Sequence, residues 1–203
     1  MHRESAIVVK GEPRTEGPRT YIVFGAMRGG TTMVAGTMRA SGVFMGDNID
    51  ENNQESADFA NRRIDLMAEQ IEVNNGMHEV WGWKYPNAAD YIDRLWGRLR
   101  RPHLICVFRD AVANGQGLNR WHPFGPLHAV QQVVLRQQLN LNLLARRPVP
   151  AIMISYEKAL RSKARFLDEF SGLLGRSFDR EEFDFEGFME AGSYKSLSDF
   201  LRT

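Results

Sequence analysis

Strand, turn and helix signals follow one another without a break in TYIVFGAMRGGTT, from Thr20 to Thr32. Aromatic and β-branched residues up to Ala26 predict a buried strand. The glycines that come next predict a tight turn, and the segment from Thr31 to Ser41 predicts a helix that ends at Gly42. The stretch therefore encodes a strand, a loop and a helix.

Strand and helix signals continue to alternate after this unit. Apolar runs predict further strands at Glu79 to Trp83, His103 to Phe108 and Ala151 to Ser155. Helical periodicity predicts helices in the segments between and after these strands, namely after Ser56, after Asn87, from Pro126 to before Pro148, and from Phe166 to Gly175. Such alternation is typical of a central parallel sheet flanked by helices, which predicts a three-layer α/β fold.

Length and composition indicate one folded domain. The chain has 203 residues, of which 43% are hydrophobic and 25% are charged, so it can bury a core without disulfides. We predict a polar N-terminal extension over residues 1–18 and a single domain over residues 19–203. From Arg176 onward the periodicity is weak, and the stretch between Asp179 and Glu190 is acidic, which predicts little regular structure and partial mobility.

The charge balance narrows the possible partners. A formal net charge of +1 creates no global field for nucleic acid or an anionic membrane, so no nucleic-acid partner is expected.

The first twenty residues contain no apolar stretch long enough for a signal peptide or a membrane span, which predicts a cytoplasmic protein. The single cysteine, Cys106, lies in an apolar run and is expected to be buried and unreactive.

The octet from Gly25 to Thr32 has the spacing of a phosphate-binding loop, G-x-x-x-x-G-K-[ST], except that Thr31 replaces the lysine. Arg28 carries the positive charge instead. Glycines allow a tight curl, backbone N–H groups point inward, and the start of the following helix favours an anion. The octet therefore predicts a P-loop-type anion site, and a simple glycine turn is the alternative.

The ends of the predicted strands carry cationic residues rather than carboxylates that could bind a metal. Lys84 and Arg109 follow two of these strands, and Ser155 ends another. A P-loop kinase combines its loop lysine with Mg²⁺ and a carboxylate, so a Mg²⁺-dependent small-molecule kinase is an alternative that Thr31 disfavours. A cationic site without a metal suits a sulfuryl group, whose single negative charge needs less neutralisation than that of a phosphoryl group.

Four segments in this order, GAMRGGTT, WGWKYP, VFRDAVANGQGL and ISYEKAL, resemble the bacterial-type sulfotransferases that use 3′-phosphoadenosine-5′-phosphosulfate (PAPS). The resemblance extends from about Tyr21 to Gly175. It implies that the protein transfers the sulfuryl group of PAPS to a hydroxyl or amine of an acceptor, with no metal.

The resemblance also implies roles for individual residues. Lys84 would contact the bridging oxygen and the sulfuryl group, and Arg109 would bind the 3′-phosphate. For in-line transfer we further expect Arg28, Lys84 and the loop amides to stabilise the charge that develops on the oxygens. The 5′-phosphosulfate loop would bind the donor through Gly25, Arg28, Gly29, Gly30, Thr31 and Thr32.

Two positions on the donor side depart from the family pattern. Gly117 replaces the serine that lies eight residues past the arginine and also binds the 3′-phosphate, so Asn114, Gln116 or backbone amides must substitute for it. Met33 replaces the aromatic residue that stacks on adenine in cytosolic relatives. Weaker binding of the donor is one expected consequence.

Transfer to an alcohol or amine needs a group that takes the acceptor proton. Glu55 is the candidate base, and Asp58 is the alternate; both could instead be acidic residues at a helix start, where they complement the dipole. His122 and His128 lie beside a segment rich in aromatic residues and proline and could also serve.

The sequence leaves the acceptor open between a small molecule, a glycan, a lipid and a peptide. Apolar positions on the helix predicted from Pro126 are compatible with a homodimer. A catalytically silent nucleotide-binding module that keeps the loop is a further alternative.

Overall fold

The computed structural model describes residues 5–60, 63–121, 125–191 and 196–202. Its main sheet has five strands, which are β1 (Ile7–Lys10), β2 (Arg19–Gly25), β5 (Val80–Lys84), β6 (His103–Phe108) and β7 (Ala151–Ser155). A separate two-stranded hairpin contains β3 (Ile49–Asp50) and β4 (Glu55–Ser56). In the main sheet the strand order is β1-β7-β6-β2-β5, and only β1 pairs antiparallel to its neighbour.

Helices surround this sheet. The α-helices are α1 (Thr31–Ala40), α2 (Ala57–Ala60), α3 (Ile64–Met77), α4 (Ile92–Leu95), α5 (Ala111–Trp121), α6 (Pro126–Arg146), α7 (Tyr156–Arg161), α8 (Lys163–Leu174) and α9 (Phe185–Phe188). Short 3-10 turns are present at Ala88–Asp90, Trp96–Arg98 and Leu197–Phe200. Within the described ranges, no helix is both long and apolar enough to cross a membrane.

The sheet separates two hydrophobic cores. All seven residues of β2 are buried, and its side chains alternate between the two faces, as the pleat of a strand requires. Tyr21 and Val23 pack with α1, α8 and α9 on one face, whereas Ile22 and Phe24 pack with α3 and α6 on the other. This arrangement confirms the predicted three-layer α/β fold with a central, mostly parallel sheet.

Several predicted boundaries need correction. The helix predicted after Asn87 is broken into α4 and two 3-10 turns, because Tyr91 has a non-helical backbone with φ −130°. The Tyr91 hydroxyl donates to the Phe59 carbonyl oxygen and accepts from the Trp83 indole nitrogen, which anchors this residue in the core. The predicted helix after Ser56 is likewise divided, into α2 and α3.

Helix α5 is absent from the predicted elements. Two glycines and two asparagines lower the helix propensity of this segment, so its periodicity is weak. Its packing explains one of the glycines, since a Cβ atom on Gly115 would lie 2.8 Å from Val130 Cγ2 of α6. Close contact with α6 therefore outweighs the low propensity of α5.

Both ends of the chain contribute more residues to the sheet and the core than the sequence predicts. The predicted extension over residues 1–18 supplies β1, the edge strand that pairs with β7. Near the C-terminus, Phe183, Phe185 and Phe188 are buried in the core beside α1, although no helical or strand periodicity marks them. Contacts between aromatic side chains bury part of this segment, while regular structure among its described residues is limited to α9 and a short 3-10 turn, in line with its weak periodicity.

Candidate active site

The loop between β2 and α1 is a tight turn that depends on its glycines. The backbone of Arg28 has φ 62° and that of Gly30 has φ 93°, and the Gly29 amide donates to the Ala26 carbonyl oxygen over 2.9 Å. A Cβ atom on Gly29 would lie 2.7 Å from that oxygen, and one on Gly30 would lie 2.2 Å from the Tyr156 ring. Larger residues would therefore disturb both the loop and its contact with Tyr156 at the start of α7.

The first turn of α1 has no side-chain cap among the described residues. The residue before the helix is Gly30, which has no side chain to accept from the helix amides. Backbone N–H groups at a helix start have no partner within the helix and attract negative charge. This end of α1 can therefore bind an anion.

Side chains from the neighbouring strand and helix support the loop from beneath. Asn114 Nδ2 donates to the Met27 carbonyl oxygen over 2.7 Å, and Arg109 Nη1 donates to the Arg28 carbonyl oxygen over 2.9 Å. Asn114 is fully buried. The Asn114 amide therefore supports the loop. Asn114 and Gln116 are the two side chains expected to substitute for a hydroxyl at position 117, and of these only Gln116 lines an open cavity.

Lys84, at the end of β5, lies in a polar cluster beside α1. Its side chain is 2% exposed, and Nζ donates to Glu55 Oε1 over 2.6 Å and to the Asn53 carbonyl oxygen over 3.0 Å. Thr32 Oγ1 donates to the same Asn53 oxygen, also over 3.0 Å. The hairpin that carries Asn53 and Glu55 thus joins Lys84 to the start of α1.

Burial lowers the pKa of Lys84, because desolvation disfavours the charged ammonium, while the negative charge of Glu55 opposes this shift. Lys84 and Glu55 are therefore held in direct contact, with the Lys84 side chain buried and that of Glu55 23% exposed.

The other candidate bases lie elsewhere. The Asp58 carboxylate accepts hydrogen bonds from Asn48 Nδ2 and Ser56 Oγ at the start of α2. His128 lies on α6 and lines a different cavity. His122 is outside the described residues. Of the carboxylates predicted as candidate bases, Glu55 is the one that contacts Lys84.

Arginines surround a cavity of about 500 Å³ on the opposite side of the loop, which we call the arginine cavity. Its lining residues are Arg28, Arg109, Ala113, Gln116, Gly117, Arg120, Tyr156 and Ala191. The guanidinium of Arg109 lies 4.8 Å from the centre of the Tyr156 ring, and that of Arg28 lies 5.2 Å from the Trp121 ring. The cavity therefore combines positive charge with an aromatic face.

A second cavity of about 370 Å³ adjoins the loop from the α6 side. It is lined by Ala26, Met27, Asn87, Leu118, His128, Gln132, Val133 and Arg136. Arg136 forms an ion pair with Asp90 at the rim. This cavity is less cationic than the arginine cavity and has more apolar surface.

Across the described ranges, no group of three or more His, Cys, Asp and Glu side chains is placed to hold a metal ion. The carboxylate of Glu55 is paired with Lys84.

Comparison with protein-family models found no match for this sequence, and comparison with curated proteins found none either. Among solved structures, the chain is similar to the sulfotransferase domain from the Synechococcus PCC 7002 olefin synthase, with a TM-score of 0.57 and 14% sequence identity. The match covers 84% of this chain and 76% of that domain. This protein therefore has a sulfotransferase-like fold.

The sulfotransferase-like fold brings the predicted site residues to one edge of the sheet. The loop follows β2, Lys84 ends β5, Arg109 follows β6, and Tyr156 follows β7. Glu55 reaches the same edge from the hairpin. Carboxyl ends of parallel strands are where ligands bind in open α/β sheets, which makes this edge the candidate active site.

Sequence reasoning missed several residues of the site. Tyr156 belongs to the ISYEKAL segment, and its position directly after a buried strand was a usable signal. Asn53 acts through its backbone oxygen, which no side-chain pattern reveals. Arg120 lies three residues after Gly117, but α5 had to be recognised as a helix before the two could be placed on one face.

Proposed function

We propose that this protein is a sulfotransferase that moves the sulfuryl group of PAPS to a hydroxyl or amine of an acceptor. One observation carries the proposal: the glycine loop lies between an arginine cavity on one side and the buried Lys84–Glu55 pair on the other. The arginine cavity suits an anionic nucleotide, and the Lys84–Glu55 pair suits proton transfer. The sulfotransferase-like fold supports the same reading.

The proposed donor site uses fixed positive charge. The loop from Gly25 to Thr32 would hold the 5′-phosphosulfate with backbone amides and Arg28, as the uncapped start of α1 permits. Arg109 would hold the 3′-phosphate, and Tyr156 would offer its ring to the nucleotide. A forked guanidinium suits such a phosphate because it can donate two parallel hydrogen bonds.

The proposed transfer step uses Lys84 and Glu55. A bond forms between the acceptor oxygen or nitrogen and sulfur as the bond from sulfur to the bridging oxygen breaks, and the acceptor proton passes to the Glu55 carboxylate. Lys84 would stabilise the negative charge that develops on the leaving oxygen. The 2.6 Å contact keeps the two side chains together, so both can act on one reacting centre.

The second cavity is the proposed acceptor side. Loop residues Ala26 and Met27 form part of its wall, and Asn87 lies three residues after Lys84. At about 370 Å³ it is near the lower end of the roughly 300–1,000 Å³ typical of small-molecule sites. A small, partly apolar alcohol or amine, or one end of a glycan or lipid, suits this volume.

A donor-dependent assay tests the proposal. The purified chain, PAPS and a mixed panel of alcohols, amines, sugars and lipids should give sulfated product without added metal, and adenosine 3′,5′-bisphosphate should raise the melting temperature. Stabilisation only by ATP with Mg²⁺ would contradict the proposal in favour of a kinase. Binding of the bisphosphate with no transfer to any acceptor class would favour a silent nucleotide-binding module.

A further inference from the structure

The arginine cavity contains three guanidinium groups, of which the sequence resemblance assigns only two. Arg28 belongs to the loop and Arg109 to the end of β6, whereas Arg120 comes from the last turn of α5. No carboxylate is among the described residues that line the cavity. Arg109 Nε lies 3.9 Å from Glu157 Oε1, which offsets part of its charge, and Arg120 adds a further positive charge to the cavity.

Helix α5 directs Arg120 to this cavity by its periodicity. Ala113, Gly117 and Arg120 all line the cavity, and steps of four and three residues place them on one helix face. Gly117 lies in the middle of this face and has no side chain. The position that the resemblance associates with a hydroxyl is therefore open, and Arg120 lies one turn further along.

The guanidinium of Arg120 differs from those of several other arginines, which form ion pairs. Arg136 pairs with Asp90, and Arg147 pairs with Asp93 over 2.6 Å. Arg109 already donates to the loop and lies against Tyr156. Within the described part of the chain, the exposed Arg120 side chain makes no hydrogen bond or ion pair, so it can reorient toward an anion.

Packing does not explain the glycine at position 117. A Cβ atom there would meet only Arg28 Cβ, at the ordinary contact distance of 3.6 Å, and its φ is not in the left-handed region. By contrast, a Cβ atom on Gly115 would lie 2.8 Å from α6. A Cβ atom would therefore fit at position 117, so close packing does not require glycine there.

We propose that Arg120 is a donor-binding residue that contacts the 3′-phosphate and replaces the hydroxyl missing at Gly117. This inference rests on the proposed function, because it takes the donor to be a nucleotide with a second phosphate. A phosphate monoester carries nearly two negative charges at neutral pH, which two guanidinium groups balance better than one. Arg109 and Arg120 would thus hold this phosphate together.

Binding measurements on the full chain test the inference. Isothermal titration calorimetry would compare adenosine 3′,5′-bisphosphate with adenosine 5′-monophosphate for the wild type and for Arg120→Gln. We expect the bisphosphate to lose about tenfold in affinity and the monophosphate less than twofold, since one exposed charge-assisted contact is removed. The control is Arg94→Gln, which removes an exposed arginine that lines neither cavity near the loop.

A second variant tests the replacement directly. Gly117→Ser in the Arg120→Gln background should recover part of the preference for the bisphosphate, because it restores a hydroxyl at the open position. Melting temperatures of all variants should stay near that of the wild type. Unchanged melting temperatures would show that the loss of affinity comes from a lost contact and not from unfolding.

The possible outcomes distinguish the two proposals. If the wild type binds neither nucleotide, the proposed function fails and this inference fails with it. If the wild type prefers the bisphosphate and Arg120→Gln keeps that preference, the inference alone is overturned. Equal losses for both nucleotides in Arg120→Gln would also overturn it, because the effect would then not belong to the 3′-phosphate.

Discussion

Among single residues, Lys84 stands out because its amino group is buried and contacts the Glu55 carboxylate. Removing a charge from water is costly unless an opposite charge and hydrogen bonds compensate, and Glu55 and the Asn53 carbonyl oxygen provide both. The same carboxylate is the proposed base. Stability and catalysis are therefore expected to respond differently to changes at position 55.

The first prediction concerns Glu55→Gln. We expect turnover to fall by roughly 10²- to 10⁴-fold, because an amide cannot take the acceptor proton. Binding of adenosine 3′,5′-bisphosphate should change little, since the amide oxygen can still accept from Lys84. Steady-state kinetics and calorimetry would measure the two effects.

Asp58→Asn is the matched control for this prediction. Its carboxylate accepts from Asn48 and Ser56 and does not contact Lys84, so turnover should change by no more than a few fold. A large loss in Asp58→Asn together with near-normal turnover in Glu55→Gln would transfer the role of base to Asp58.

The second prediction concerns His103, which is buried at the start of β6. Its Nε2 accepts from the Arg14 amide over 2.8 Å, and its Nδ1 lies 2.8 Å from the Arg101 carbonyl oxygen, so the ring is neutral with its proton on Nδ1. Burial is the main cause that lowers the pKa of His103 below its usual 6.5, and the charges of Arg19 and Arg14 lower it further.

A lowered pKa means that the unfolded chain binds this proton more readily than the folded chain. The contribution of His103 to stability is therefore complete above about pH 6.5 and declines as the pH falls below this value toward the folded pKa. Urea unfolding from pH 7.5 to 5 should show a smaller decline for His103→Gln than for the wild type. Parallel curves would contradict the prediction.

At the level of single elements, packing of α5 against α6 positions the α5 residues that line the arginine cavity. Gly115 allows close approach of these helices, and the same helix carries Asn114 beneath the loop. The hairpin of β3 and β4 has a comparable role on the other side, where it carries Glu55 to Lys84. Helix α5 thus carries Asn114 to one side of the loop, and the hairpin carries Glu55 to the other.

The third prediction concerns Gly115→Ala. The added methyl group would lie 2.8 Å from Val130 Cγ2 and 3.0 Å from Val130 backbone atoms, so we expect a loss of about 1–3 kcal/mol in the free energy of unfolding. Gly172→Ala in α8 is the control, because nothing lies within 4 Å of its Cβ position. That variant should gain roughly 0.5–1 kcal/mol from helix propensity. Equal effects would show that packing at Gly115 is not decisive.

At the scale of the whole molecule, the mostly parallel sheet brings distant segments to one edge. The loop, Lys84, Arg109 and Tyr156 follow four neighbouring strands. Such strands run in the same direction, so their carboxyl ends meet at one edge. The site therefore exists only when the full sheet has formed.

The fourth prediction tests how far the domain extends toward the N-terminus. Strand β1 pairs with β7 along its whole length, Ile7 is buried, and Lys10 Nζ donates to the Arg147 carbonyl oxygen over 2.7 Å. A chain that begins at Gly11 should lose at least about 2–5 kcal/mol, the usual effect of removing one buried isoleucine side chain. Removing only residues 1–4 keeps β1 and should cost much less. Equal stability of the two truncated chains would restore the view of residues 1–18 as an extension.

Local signals account for what could be predicted. The four parallel strands β2, β5, β6 and β7 and helix α1 agree with the sequence prediction to within one or two residues, because runs of apolar residues and glycine stops are encoded in neighbouring positions. Strands β1, β3 and β4 have no counterpart in that prediction. The helix after Asn87 was predicted too long, because the anchor of Tyr91 in the core is a contact with Phe59 and Trp83 that periodicity does not report. The buried phenylalanines near the C-terminus were missed for the same reason.

The alternation of strands and helices and the need for glycine in the loop after β2 follow from the sequence, because both depend on short-range sterics and periodicity. The folded chain was needed to show that Glu55 pairs with Lys84, that Tyr156 packs against Gly30, and that Arg120 lines the arginine cavity. The first two contacts join residues far apart along the chain, and the third depends on how α5 packs beside the loop. Such arrangements depend on chain packing in three dimensions, which no local pattern encodes.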